Sequence, residues 1–310
     1  MGRGGGSRPR WIRGGGLCSF WRRQVAEMVN LPVLTRFLGT KLAALSLCEE
    51  EEVLLVSDLH LRPEEEEKRA ALEALLAGRP AGSLVLILGD LFDYWVGPPQ
   101  GRAPGWKELQ ELLRRECERG LSLWVLHGNR DYQLGRAFER RTGAKVWGGG
   151  LLLRRGEERP LLCLHGDELC LADLAYQKAK RRLRSWPARL LLRSLPFALS
   201  RRLADRARAS SRKKIAKTPP ESMLPTRGAL RALRKEPSLF PCDLLFGHIH
   251  RASHGDIPGE GEPGRFFVLP SFEPGEAGHA LFGRSGLVLV RGGKDDPSFG
   301  TFLSPAEDSQ

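Results

Sequence analysis

The chain has 310 residues, 41% hydrophobic and 28% charged, enough to bury a sizeable core and typical of a globular protein. No apolar run reaches the roughly 18–20 residues that a membrane-spanning helix needs; residues 31–48 come nearest and are broken by Arg36 and Lys41. The net charge of +12 is local, because residues 178–217 hold fifteen Lys/Arg against the lone Asp205, or +14, and all the others together carry −2.

Residues 1–50 read as a basic N-terminal extension, disordered or amphipathic. The first 27 are rich in Arg and Gly and lack the apolar stretch and cleavage site of a secretory signal. They are a tail, or upstream sequence if synthesis starts at Met28. A domain over 51–292 follows, and 293–310 read as a frayed tail. The six cysteines (18, 48, 117, 163, 170, 242) show no paired spacing, which suits free thiols in a reducing compartment.

Within the domain, "EEVLLVSDLH" predicts a buried strand and "EEEEKRAALEALLAG" a helix with acidic residues in its first turn and Gly78 as its stop. "SLVLILGD" is the next strand, "WKELQELLRRECERG" a helix closed by Gly120, and "LSLWVLHGN" a third strand. Aliphatic runs alternating with amphipathic helices indicate a largely parallel sheet covered on both faces, the α/β class. Shorter strands follow at 151–155 and 160–167, turning at Gly156. Residues 170–217 break the rhythm with Leu- and Arg-rich helices punctuated by Pro187 and Pro196, and read as an insertion. The strand pattern resumes at "DLLFGHIH", and "RFFVLPSF" with "GLVLVRGG" would complete a second sheet.

Five of these strands end in polar groups: Asp58 and His60; Asp90 and Asp93; His127, Asn129, Arg130 and Asp131; His165 and Asp167; and His248 and His250. Ligands of open α/β sheets bind at the carboxyl edge. In an extended segment residues i and i+2 share a side, so Asp58 with His60 and His248 with His250 would each form a donor pair. Carboxylate, imidazole and one amide oxygen, without thiolate, suit Mn²⁺, Fe²⁺ or Zn²⁺. Seven candidate ligands exceed one tetrahedral ion and fit two ions sharing Asp90. Any one of these motifs alone is as readily a turn or surface decoration; their joint order behind apolar strands makes chance a poor explanation.

The order D-x-H, G-D-x-x-D, G-N, H, G-H-x-H resembles the calcineurin-like metallophosphoesterase superfamily. That resemblance implies a four-layer αββα sandwich with a helical insertion, or lid, at about 170–217, and two metal ions at the strand ends. Asp58, His60 and His250 would hold one ion and Asn129, His165 and His248 the other, with Asp90 between them. The segments "GDLFDYWVG", "HGNRDYQLGRAF", "HGDELCLADLAYQ" and the basic insertion near "RARASSRKK" are similar to the UDP-2,3-diacylglucosamine pyrophosphatases of lipid A biosynthesis. The implied reaction is Mn²⁺-dependent: metal-activated water attacks the α-phosphorus to give UMP and 2,3-diacylglucosamine 1-phosphate.

By the same resemblance Asp90, Asn129, Arg130 and His248 are catalytic, and Asn129, Arg130, Asp173, Ser211 and His248 touch substrate. Where that family has Asn and Lys after the insertion serine this chain has Ile215 and Lys217–Thr218, making Lys217 the substitute contact. The final motif is "GHIHR" followed by Ala, where GHTHRP is usual.

Independently, a planar guanidinium at Arg130 suits a phosphate. Leu190, Leu191, Leu192, Leu195, Phe197, Leu199 and Leu203 would give the insertion an apolar face flanked by Arg. That face suits acyl chains and an anionic bilayer, and with the family resemblance it implies a peripheral site on the cytoplasmic face of the inner membrane. The alternatives are an ordinary solvated basic helix pair, or the same fold acting on another nucleotide diphosphate-linked substrate or on nucleic acid. The insertion offers only Trp186 and Phe197 for base stacking, which disfavours nucleic acid. A non-catalytic scaffold would be free to lose ligands, yet each expected position is filled.

Asp93 and Asp131 are expected to orient ligands or Arg130, His127 to aid catalysis or close its strand, Trp95 to pack the sheet, and His254 and His279 to lie at the surface.

Overall fold

Short Leu, Val and Ile runs bounded by charged or turn residues set the strand pattern, since branched side chains favour a pleated, buried surface. The computed structural model describes residues 27–29, 35, 38–215, 224–236, 239, 241–275 and 278–290. Its strands are Glu27–Val29 (β1), Leu42–Ser46 (β2), Val53–Val56 (β3), Leu84–Ile87 (β4), Ser122–Leu126 (β5), Lys145–Trp147 (β6), Gly150–Arg154 (β7), Leu161–Cys163 (β8), Asp243–Phe246 (β9), Ser253–Ile257 (β10), Gly264–Val268 (β11), His279–Gly283 (β12) and Gly286–Val290 (β13). Its helices are Glu66–Ala77 (α1), Trp106–Arg119 (α2), Arg136–Thr142 (α3), Leu174–Leu183 (α4), Trp186–Ser194 (α5), Phe197–Ile215 (α6) and Arg227–Arg234 (α7). No helix among the described residues is long and apolar enough to cross a membrane.

Two mixed sheets form. One runs β1-β2-β7-β8-β9-β11-β10 and the other β13-β12-β3-β4-β5-β6. The stretch from β3 to β6 is parallel throughout, as are β8 and β9. Alternation along each strand sorts the core into layers. Val53, Leu55, Leu84 and Leu86 meet Leu151, Leu153, Leu161 and Leu245 between the sheets. Leu54, Val56, Val85 and Ile87 turn outward onto Leu72 of α1, Leu109 and Leu112 of α2 and Phe138 of α3. Leu152, Leu162, Leu244 and Phe246 turn the other way onto Leu230 and Leu233 of α7. The result is the four-layer αββα arrangement the sequence implies.

The α1 helix stops at Gly78, and α2 at Gly120, whose φ of 112° is open to glycine but costly for other residues. Trp95 is buried and stacks on Phe92, as expected of a packing residue.

Three local expectations change. Residues 42–46, assigned by sequence to the N-terminal extension, form β2, parallel to β7 and buried at four of five positions. An Ala-rich strand of that length has little local signal. Of "RFFVLPSF" and "GLVLVRGG", the first enters the β1-containing sheet as β11 and the second edges the other sheet as β13, so they do not complete one sheet together. Parallel β8 and β9 require a crossover, and the helix that covers it is α7, which the sequence reading passed over. α4 and α5, by contrast, have no fully buried residue. The rest of the N-terminal extension before residue 27 and the 293–310 tail lie outside the described residues.

Candidate metal centre

The carboxyl ends of β3, β4 and β5 in one sheet and of β8 and β9 in the other point to the same edge, and the loops leaving them bring the polar residues together. Asp58 Oδ1 lies 3.2 Å from His250 Nε2 and 3.8 Å from His60 Nε2. The two imidazoles approach to 3.1 Å, Nε2 to Nε2. Asp90 sits between clusters, its Oδ2 3.8 Å from His60 Nδ1 and its Oδ1 3.9 Å from His165 Nε2. Asn129 Nδ2 is 3.2 Å from His248 Nδ1, and the His165 and His248 rings are 5.1 Å apart. Two sets of ligand atoms, from Asp58, His60 and His250 and from Asp58, Asp90 and His165, each fall within 4.8 Å of one another.

The route to this convergence differs from the pleat geometry expected from the sequence. Asp58, His60, Asp90, His248 and His250 all have φ between 49° and 68°. The pairs two residues apart therefore point together because left-handed turns beyond the strands direct them, not because they remain extended. Neighbouring glycines permit the crowding: a Cβ on Gly128 would overlap Asp90, and one on Gly247 would overlap Ser57 and Asp58.

Surrounding groups orient the cluster. Asp58 Oδ2 accepts hydrogen bonds from Ser57 Oγ at 2.6 Å and the His248 amide at 2.8 Å. His165 Nδ1 bonds the Leu88 carbonyl at 2.9 Å, turning Nε2 toward Asp90. Asp131 accepts from the Leu91 and Gly128 amides at 2.8 Å each, fixing the turns that carry Asp90 and Asn129. The Arg130 amide donates to Asp90 Oδ1 at 2.9 Å, while its guanidinium pairs with Asp93 at 2.8 Å and reaches Asp90 at 3.5 Å.

The electrostatics ask for cations. Burial pushes the Asp90 carboxyl up to about 7, with His165 opposing and the Asp131 and Asp58 charges adding. Burial would lower His165, but Asp90 and Asp58 outweigh it and raise the imidazole to about 9. His60 and His248 are driven down, to about 2 and about 4, by burial first and then by the Arg130 and His165 charges respectively. Buried carboxylates thus draw a proton onto one histidine while two others stay neutral, and neutral imidazole is the metal-ligating form. Two buried imidazole nitrogens, His60 Nδ1 and His165 Nε2, have no hydrogen-bond partner among the described residues and face Asp90. Buried polar atoms rarely remain orphaned, so the donor set fits divalent metal.

Asp173 caps α4, its carboxylate accepting the Tyr176 amide at 2.8 Å. Ser211 is on α6, with its side chain outside what is described, and Lys217 lies outside the described residues. His127 bonds the Leu134 carbonyl at 3.0 Å, beyond its strand. His254 is exposed, whereas His279 is half-buried on β12.

Sequence reasoning gave no role to a buried group beside the site. Asp167 pairs with Lys180 at 2.8 Å and Arg184 at 3.5 Å and accepts the Tyr176 hydroxyl. Burial opposes ionisation of Asp167, but Lys180 and Arg184 hold its carboxyl well below the usual range. Arg184 also donates to the Gly128 carbonyl at 3.0 Å, joining α4 to the loop of Asn129 and Arg130. The i, i+4 spacing of Lys180 and Arg184 was the available signal, hidden within a basic run.

Comparison with known proteins adds independent findings. The calcineurin-like phosphoesterase family profile matches residues 52–252. The "UDP-2,3-diacylglucosamine hydrolase" of Ectopseudomonas mendocina (strain ymp) is 33% identical over 229 residues, covering 71% of this chain and 90% of that protein. Proteins of the same name from Stutzerimonas stutzeri (strain A1501) and Pseudomonas putida (strain KT2440) are 31% and 33% identical, each covering 71% of this chain and 91% of their own length.

Proposed function

The chain belongs to the calcineurin-like phosphoesterase family and is a hydrolase of phosphodiester or pyrophosphate bonds, and we propose that it cleaves the pyrophosphate of UDP-2,3-diacylglucosamine in lipid A biosynthesis. The observation that carries this reading is the Arg130 guanidinium 3.5 Å from the Asp90 carboxylate, whose two oxygens lie 3.8 Å from His60 and 3.9 Å from His165. The relatives' shared name supports the substrate.

Asp58, His60, Asp90 and His250 would hold one ion, and Asp90, Asn129, His165 and His248 the other. We assign Mn²⁺, with Fe²⁺ or Zn²⁺ also matching a nitrogen–oxygen donor set. Bound cations would supply Lewis-acid charge neutralisation at phosphoryl oxygens and a water of lowered pKa. Arg130, itself braced by Asp93, binds the phosphoryl group bidentately and balances the charge that grows on its oxygens. Asn129 and His248, adjacent at 3.2 Å, complete the substrate-facing wall. Water adds at the α-phosphorus as the bridging oxygen leaves, yielding UMP and 2,3-diacylglucosamine 1-phosphate, with no side chain covalently attached. Asp173, Ser211 and Lys217 are assigned to the sugar and phosphate side.

The α4–α6 segment acts as a lid at the inner face of the cytoplasmic membrane. Leu174, Trp186, Leu190 and Leu191 are 67%, 75%, 59% and 61% exposed, which leaves apolar surface beside a strongly basic stretch. Phe197 departs from the expected exposed face, since it packs against the main core.

The test follows UMP release from UDP-2,3-diacylglucosamine and from a non-acylated UDP-sugar, with Mn²⁺ and detergent. Release from the acylated substrate, lost in Asp90→Ala, is expected. An Mn²⁺-loaded protein that leaves the acylated substrate intact would overturn the substrate assignment.

A further inference from the structure

Asp93 holds two arginines, not one. Its Oδ1 lies 2.8 Å from Arg130 Nη1 and its Oδ2 2.7 Å from Arg62 Nε. The carboxylate is almost fully buried, at 3% exposure, whereas Arg62 and Arg130 retain 45% and 38%. Two guanidiniums thus converge on one carboxylate at the rim of the candidate metal centre. Arg62 follows His60 by two residues, so the loop that brings His60 into the cluster carries Arg62 to its edge. There Arg62 also lines a cavity of about 420 Å³, together with Glu64, Glu65, Tyr94, Trp106, and Arg201 and Asp205 of α6.

We propose that Arg62 is a second phosphate-binding residue, which contacts the phosphoryl group next to the one held by Arg130 and so selects diphosphates over monophosphates. Like charges this close are tolerated because Asp93 lies between them. Each guanidinium offers a planar fork matched to phosphate oxygens. The cavity beside Arg62 then receives the group esterified to the second phosphoryl. This inference rests on the diphosphate reading of the site, and it assigns a contact that the family resemblance did not supply.

The test is calorimetric binding of α,β-methylene-UDP and of UMP to the full-length, Mn²⁺-loaded protein. Arg62→Gln is expected to weaken the methylene diphosphate about tenfold, the scale of one charge-assisted hydrogen bond, and to change UMP less than twofold. Arg62→Lys, which keeps the charge but not the fork, should fall between. Equal weakening of both ligands would show that Arg62 only props Arg130 through Asp93 and would overturn the proposal, as would no change in either or no binding of the analogue by the unsubstituted protein. Should that protein bind the analogue selectively yet fail to cleave UDP-2,3-diacylglucosamine, the substrate assignment alone is lost.

Discussion

At the scale of single residues, the cluster concentrates backbone strain. A left-handed conformation costs a non-glycine residue roughly 1–2 kcal/mol, and Asp58, His60, Asp90, His248 and His250 all adopt it. Such strain persists where the surroundings over-determine it, which is characteristic of functional sites. The same crowding makes Gly128 indispensable: Gly128→Ala should displace Asp90 and lower bound metal per chain by at least half, read by elemental analysis after reconstitution. His127 supplies a separate pH signature. Burial, despite the Leu134 hydrogen bond, and the Arg184, Arg189 and Arg193 charges lower its imidazole to about 4. The unfolded chain takes up this proton near pH 6.5 and the folded chain only near 4, so stability falls as pH drops through that window, by about 1.4 kcal/mol per unit. Urea midpoints in chelator at pH 7 and pH 5 check this. His127→Gln should lose less stability between those values than the unsubstituted protein.

At the scale of elements, α7 and α5 are opposite cases of helices rich in Leu and Arg. α7 buries Ala229, Leu230 and Leu233 against the sheet, with Thr226 capping its start. Leu230→Ala should therefore cost about 2–5 kcal/mol of unfolding free energy, measured by urea titration. α5 leaves Leu190 and Leu191 exposed. Leu190→Ser with Leu191→Ser should leave the unfolding midpoint unchanged while reducing co-sedimentation with anionic vesicles severalfold. Composition does not separate these helices, because a leucine stripe looks alike whether a sheet lies beneath it or not. For the same reason β2 escaped notice: Leu42–Ser46 has an unremarkable local pattern and becomes a strand by lying between β1 and β7.

At the scale of the whole molecule, the candidate centre belongs to neither sheet alone. Asp58, Asp90 and Asn129 leave one sheet, His165 and His248 the other, and the shared layer of Leu55, Leu86, Leu153 and Leu245 fixes their separation. A cation bound there bridges the halves and should stabilise both. At a free metal concentration 100-fold above its dissociation constant the gain is about 2.7 kcal/mol. Chelation should lower the melting temperature by several degrees, Mn²⁺ should restore it, and Asp90→Ala should abolish the response. The class of fold and the identities of the clustered residues were legible in the sequence by itself, because buried parallel strands are continuous aliphatic runs and their polar ends stand out against them. Which sheet β11 and β13 join, how left-handed turns aim each donor, and that Asp93 serves Arg62 as well as Arg130 were decided only by the tertiary structure. These depend on contacts between distant segments, and no local pattern encodes the direction in which a side chain emerges from a turn or the second partner that a carboxylate meets.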